Sequence, residues 1–242
     1  MALHFLAPTC PDAAVGDTVS LTGAEAKHAA VVRRLRVGEQ VTLGDGAGVR
    51  LEGFVTDVSA TLVDVEITAR RTEDAPDTRL VLVQALAKGD RDELAVQTSC
   101  ELGVDEVVPW QAARSISRWE GAKAVKGRER WATIVREAAK QAHRAWVPPV
   151  AEAVTTAQLI RRSEGARMLV LDPTATTKLS QVRADGRDLV LIVGPEGGIA
   201  PDELAAFESA GAERVLLGDT VVRTSTAGPA AISVLSVALG RW

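Results

Sequence analysis

The stretch that most constrains this chain runs from Asp188 to Trp242. An apolar run, Leu189 to Val193, meets a turn built from Gly194, Pro195, Glu196, Gly197 and Gly198, and a helix start follows at Ile199-Ala-Pro-Asp-Glu. Pro201 is pre-set for a first helical turn, and Asp202 and Glu203 face the positive end of the helix dipole. Arg214-Val-Leu-Leu-Gly218 repeats the geometry: a strand ending in glycine, a loop from Asp219 to Thr224, then a helix opening at Ser225-Thr-Ala. A buried strand that delivers a glycine-rich turn at its carboxyl end is where open α/β sheets bind ligands. The turn is not a familiar phosphate cradle. A P-loop needs Lys and Ser/Thr directly after its last glycine, where Ile199 and Ala200 stand, and the three glycines lack the G-x-G-x-x-G spacing. Taken alone, it reads equally as a plain strand–turn–helix.

With 242 residues the chain has material for one large domain or two small ones. No apolar run approaches the roughly 18 residues of a membrane span, and the start, Met1-Ala-Leu-His, lacks the basic residues of a secretory signal. Cys10 and Cys100 are too few for a disulfide framework or a zinc site. A cytoplasmic protein without metal is expected. The net charge of −4 argues against a nucleic-acid partner unless the charge is unevenly spread.

It is unevenly spread. From Arg114 to Arg144 there are nine Lys/Arg against three Glu, a local charge of +6. Arg136, Lys140 and Arg144 fall at i, i+4 and i+8, one stripe on a helix expected from Arg128 to about Trp146. Trp119, Trp131 and Trp146 lie among these charges. Two readings stand: an exposed helix face over a tryptophan-filled core, or a surface that neutralises nucleic-acid phosphates, with tryptophans stacking on exposed bases.

The texture of the chain changes near residue 72. Before it, short segments rich in Val and Thr alternate with glycine turns: Asp17–Leu21, Glu39–Leu43, Val49–Val55 and Thr61–Thr68. Val63, Val65 and Ile67 alternate with Asp64, Glu66 and Thr68, the period of a half-buried strand. With one helix, Gly23 to about Arg34, these predict a small β-barrel over residues 1–72. The helix ends in a cluster of Arg33, Arg34 and Arg36, either a solvated surface or an RNA contact. The polar stretch from Arg70 to Asp77 is the boundary. Residues 76–242 then alternate strands and helices: strands at Leu80–Ala85, Val104–Pro109, Met168–Leu171, Leu189–Val193 and Val215–Leu217. That grammar predicts an α/β domain with a mostly parallel sheet.

The phrase GPEGG, followed after a strand by L-G-x-x-x-x-R-T-x-T-A, resembles the knotted SPOUT methyltransferases. Within them it is most similar to the family that methylates ring nitrogen three of a uridine in small-subunit (16S) ribosomal RNA. The resemblance covers nearly the whole chain. His28-x-x-x-Val32-x-Arg34-x-x-x-Gly38 resembles the family's PUA-like first domain, which helps to hold RNA. Lys88-Gly-Asp-Arg-Asp-Glu, Glu101-Leu-Gly-Val104 and Glu137-Ala-x-x-Gln141-x-x-Arg144-x-x-Val-Pro148 resemble its further phrases, in order.

The resemblance implies a trefoil knot, a homodimer packed through the C-terminal helix, and S-adenosylmethionine held between the two loops. Cofactor contact is carried onto Leu171, Gly194, Pro195, Gly198, Leu217, Gly218, Val222, Arg223 and Thr224. RNA contact is carried onto Arg33, Arg34, Arg36, Arg136, Lys140 and Arg144. The expected partner is 16S ribosomal RNA within the small subunit. Arg223 is the expected stabiliser of charge on a deprotonated uracil, and Glu196 is either its base or a brace for the turn. The chain departs from the family pattern at Ser225, where Glu is frequent, at Gly228-Pro229, at Lys140 and at His4. Two alternatives are a ribosome-assembly factor without activity and a ribose 2′-hydroxyl methyltransferase. Intact glycine turns argue against the first, and the barrel with R-T-x-T-A against the second.

Overall fold

The computed structural model describes residues 2–242. The chain forms two compact units, one made of the residues up to Ala75 with Ala139–Val147, the other of Pro76–Ala138 with Pro148–Trp242.

The first unit is a five-stranded sheet in the order β1-β3-β4-β5-β2, with β1 (Leu3–Leu6), β2 (Thr18–Thr22), β3 (Gln40–Gly44), β4 (Val49–Val58) and β5 (Leu62–Thr72). β1 lies parallel to β3 and the other pairs are antiparallel. Val63, Val65 and Ile67 all point into the core, as their alternation requires, and meet Val41, Leu43, Leu51 and Val55. β1 has no counterpart in the reading above: Leu-His-Phe-Leu is too short to show a period. The expected helix is present over close to its expected length, but only its first half is α-helical. One α-helical turn, α1 (Gly23–Lys27), passes into a π-helical turn, His28–Val32, and ends at Arg33. Arg34 takes a left-handed φ of 56°, and Arg33, Arg34 and Arg36 are exposed. His28 is half-buried, edge-on to Phe5.

Ala139–Val147 corrects the basic stripe. The long helix stops at Gln141, and His143, with φ 55°, turns the chain away. Arg144 therefore lies beyond the helix. Lys140 is only 7% exposed, with Nζ 2.9 Å from Glu25 Oε1, and is a buried ion-pair partner rather than a contact for RNA. Trp146 donates its indole N–H to the Glu73 carbonyl at 2.9 Å. His143 stacks on His4, whose Nδ1 lies 2.9 Å from Thr42 Oγ1. Burial, with His143, Arg50 and Lys140 nearby, pushes the His4 imidazole down to about 4 and keeps it neutral.

The second unit is an all-parallel sheet, β10-β8-β9-β6-β7, made of β6 (Leu80–Ala85), β7 (Glu106–Trp110), β8 (Arg167–Leu171), β9 (Leu189–Val193) and β10 (Glu213–Val215). Strands covered on both faces read as unbroken apolar runs, and β6, β7 and β9 are buried along their whole length. On one face Val81, Val83, Val190 and Ile192 pack against Leu159 of α4 (Thr156–Arg162) and Phe207 of α5 (Pro201–Ser209). On the other, α2 (Arg91–Glu101) packs on α6 (Thr224–Ala238), which also lies against β6 and β9. α3 (Ala122–Gln141) begins six residues earlier than expected. α4 was missed in sequence, although Thr155 and Gln158 form a capping box at its start. β10 ends at Val215, two residues before the expected end, which frees Leu217 and Gly218 for the loop. Trp131 is buried and meets Trp119 edge-on at 5.0 Å, so both are packing groups.

After β8 the chain makes a 3-10 turn, Leu179–Gln181, that pairs with the stretch after β10. Leu179 N–H donates to the Leu216 carbonyl at 2.8 Å and Leu216 N–H to the Thr177 carbonyl at 3.0 Å. α6 packs against that turn. The stretches after β8 and β10 are thus hydrogen-bonded to each other, where the resemblance to the SPOUT proteins leads one to expect the knot.

Candidate active site

The carboxyl ends of β8, β9 and β10 open into a cavity of about 720 Å³, within the size range of small-molecule sites. Three loops wall it. Leu171, Gly194, Pro195, Gly198, Leu217, Gly218, Val222, Arg223 and Thr224 all line it, and so does Glu196. Arg91, Asp172, Thr174, Ile199, Leu204 and Val221 join them without having been singled out from sequence. Asp172-Pro-Thr174 directly follows a strand, and that position at a third strand end was the available signal.

The glycine turn is tight. Gly198 N–H donates to the Pro195 carbonyl at 2.9 Å, and Gly198 has φ 71°. A Cβ on Gly194 would stand 2.7 Å from Ile199 Cγ1, so only glycine lets the strand end meet the helix start this closely. Pro201 opens α5, and Glu203, buried, accepts from Ala113 N–H at 2.9 Å and Thr156 Oγ1 at 2.7 Å.

Thr224 joins this turn to the second loop. Its buried hydroxyl donates to the Gly194 carbonyl at 2.8 Å and accepts from Gln84 Nε2 at 3.0 Å. One side chain thus ties the ends of β6 and β9 to the first turn of α6. Asp172 holds the third loop by accepting from Thr174 N–H at 2.8 Å and from Arg214 Nε at 2.8 Å. Burial alone would push the Asp172 carboxyl up, but these bonds and the guanidinium charge hold it below the usual carboxylate range.

Glu196 Oε1 accepts from Arg91 Nη1 at 2.9 Å and from Lys88 N–H at 3.2 Å. Partial burial works against its charge, yet its backbone N–H, Arg91 and Lys88 outweigh that and keep its pKa below normal. Arg223 is the residue before α6, with extended backbone and an exposed side chain at the cavity rim. Among the described residues its guanidinium has no hydrogen-bond partner. Of the remaining RNA candidates, Arg33, Arg34 and Arg36 share one exposed stretch of the first unit, while Arg136 and Arg144 are half-buried.

The cavity fits S-adenosylmethionine. Its walls are mostly apolar, with backbone carbonyl and N–H groups of the turns at its edge, and a Cβ on Gly218 would meet nothing within 4 Å but the cavity's open space. Among the described residues, no group of three or more His, Cys, Asp or Glu could hold a metal ion, and no helix is long and apolar enough to cross a membrane.

Comparison with known proteins agrees with this geometry. The sequence pattern of an RNA methyltransferase domain matches residues 73–236, and that of an RNA methyltransferase PUA domain matches residues 21–68. A relative from Mycobacterium tuberculosis named ribosomal RNA small subunit methyltransferase E is 43% identical, over 100% of this chain and 94% of the relative. One of the same name from Bacillus subtilis is 29% identical, over 98% and 96%. The crystal structure of a ribosomal RNA small subunit methyltransferase E from Neisseria gonorrhoeae, bound to S-adenosylmethionine, superposes with a TM-score of 0.88 at 30% identity, covering 98% of both chains. A putative methyltransferase from Legionella pneumophila, also with S-adenosylmethionine, gives 0.87 at 29%, again covering 98% of both.

Proposed function

The chain belongs to the ribosomal RNA small subunit methyltransferase E family of RNA methyltransferases, and from that premise we propose that it methylates ring nitrogen three of a uridine in 16S ribosomal RNA. S-adenosylmethionine is the methyl donor. The observation that carries the reading is a fitting cavity whose two loops are locked together by Thr224, with the unpaired Arg223 guanidinium at its rim.

Leu171, Gly194, Pro195, Gly198, Leu217, Gly218, Val222 and Thr224 would hold the cofactor, chiefly through apolar contact and backbone groups. Bound there, it supplies a methyl group on a sulfonium sulfur. The rest falls to the protein. Uracil N3 carries an imide proton between two carbonyls, so the ring must lose that proton, to solvent at the open mouth of the cavity, and be held in line at near-attack distance. Arg223 is placed to stabilise the negative charge that then spreads over N3 and its carbonyl oxygens. Glu196 supports the other role. A carboxylate with a lowered pKa, already accepting from Arg91 and Lys88, is a poor match for an imide proton and a good brace for the turn. Glu196→Gln should therefore weaken cofactor affinity several-fold and leave kcat within about fivefold of wild type. Unchanged affinity with kcat down by a hundredfold or more would instead make it the base.

The same reading carries a homodimer. Val237 on α6 and Trp242 just beyond it are 63% and 62% exposed, apolar surface of the kind an interface covers. It also places the protein with ribosomal RNA in the cytoplasm, and the small subunit as its substrate.

The decisive experiment is titration of S-adenosylmethionine into the purified protein, followed by transfer of labelled methyl to small subunits or 16S RNA lacking the mark. Binding, and label on N3 of a single uridine, is the expected result. Binding with label on a ribose, or on no ribosomal RNA, would overturn the assignment. No binding would sink the cofactor site as well.

A further inference from the structure

The connection between β7 and α3, residues 111–121, is fastened to the second unit along its length. Gln111 N–H donates to the Val154 carbonyl at 2.9 Å, and the Gln111 side chain accepts from Trp119 N–H at 3.0 Å. Ala113 N–H donates to Glu203 at 2.9 Å, and Trp119 packs on Trp131. What this fixed backbone turns outward is Arg114, Ile116 and Arg118, all exposed. From Gln111 to Trp119 there are two arginines and no acid.

Arg114 is placed against the glycine turn. Its Nη1 donates to the Gly197 carbonyl at 3.1 Å, and its stem covers Gly197. That bond uses one N–H and leaves most of the guanidinium fork for another acceptor. Arg118 sends one N–H to the Ala113 carbonyl at 3.1 Å and is otherwise exposed. Arg91, on the other side of the same turn, is neutralised by Glu196, so it offers less to an anion. Arg114, held against Gly197 of the turn that walls the cavity, and Arg118, held against Ala113 in a stretch without an acid from Gln111 to Trp119, suit an anion with several oxygens. The RNA strand that brings a uridine to this cavity carries a phosphate on either side of it.

Resting on the function proposed above, we propose that Arg114, together with Arg118 of the same loop, binds backbone phosphates of the RNA strand flanking the target nucleotide. Arg114 is thus a positioning residue. It holds the strand in register at the mouth, and it does so from the turn that walls the cavity. Phosphate contacts of this kind fix register and orientation without reading sequence.

The test is the affinity of the full chain for unmethylated 16S RNA, measured across roughly 50–300 mM potassium chloride. Each phosphate contact adds about 0.7–0.9 to the slope of log K against log salt. Arg114→Gln keeps a donor for Gly197 and most of the stem but drops the charge. It should bind RNA several-fold more weakly at low salt, with a slope shallower by about one contact and cofactor affinity within about twofold of wild type. Arg114→Lys should keep the wild-type slope, and Arg114→Gln with Arg118→Gln should lose about two contacts. An unchanged slope in Arg114→Gln overturns the proposal, and most clearly if cofactor affinity falls instead, since that marks a brace and nothing more. Transfer of label by the wild-type protein is read separately. If it fails on every ribosomal substrate, the assigned function falls, while the slopes still decide whether Arg114 meets phosphate.

Discussion

Replacing Arg223 by alanine should lower kcat for methyl transfer by about a hundred- to a thousandfold, the range seen when one preorganised donor to a developing anion is removed. The cofactor dissociation constant should rise by less than about fivefold, because the cavity is walled largely by apolar groups and main chain and Arg223 stands at its rim. The side chain has no other employment among the described residues, so its loss leaves no buried partner stranded. A pH profile separates its role from simple binding. A guanidinium beside N3 favours the deprotonated ring, so it lowers the pKa of the imide in the complex. Without it that pKa rises, and the rate should keep climbing at pH values where the wild type has already levelled off. Arg223→Lys should recover only part of the rate, since an ammonium lacks the planar fork that can span N3 and a carbonyl oxygen. A kcat equal to wild type would remove Arg223 from the chemistry. Equal losses in cofactor affinity and turnover would make it a cofactor ligand only.

The parts of the site made by local sequence were readable from it. An apolar run ending in glycine reads as a buried strand meeting a turn, and this chain has two, β9 running to Val193 before a cluster of glycines and β10 to Val215 shortly before the single Gly218. The lock between them was not readable, because Thr224 meets a carbonyl 30 residues away and an amide 140 residues away. One clue stood in the sequence: Gln84 is the single polar residue of β6, and a buried amide in a strand covered on both faces must find a partner. The basic stripe failed for a different reason. Spacing at i, i+4 and i+8 holds only while the helix lasts, and neither glycine nor proline marks the stop at Gln141. Lys140 shows the second limit of periodicity. Its apolar stem and ammonium were drawn inward by Glu25, a residue 115 positions earlier, and charge type alone does not reveal such a pairing. Arg114 lies between these cases: its charge was visible, but its place against Gly197 depends on how β7 and β9 are ordered in the sheet.

Thr224→Val should produce the largest loss that touches both stability and binding. Valine is nearly isosteric, so the first turn of α6 keeps its shape, but the Gly194 carbonyl loses its donor and Gln84 Nε2 keeps only the Ala85 carbonyl at 3.1 Å. Stranded buried polar groups cost about 1–3 kcal/mol, and in a unit of this size that lowers the melting temperature by roughly 5–10 °C. The effect on function follows from where the bond lies. Gly194 and Thr224 stand on opposite loops of the cavity, so without the bond the two walls are held by packing alone and the cofactor must order them as it binds. Its affinity should fall at least tenfold, and the rise in melting temperature at saturating S-adenosylmethionine should shrink accordingly, since that rise scales with the logarithm of ligand over dissociation constant. Thr224→Ser keeps the hydroxyl and removes only a methyl group, and it should bind the cofactor nearly as well as wild type. If valine and serine variants lose affinity equally, the methyl contact matters and the hydrogen-bonded lock does not. If neither loses it, packing alone is enough to hold the two loops in place.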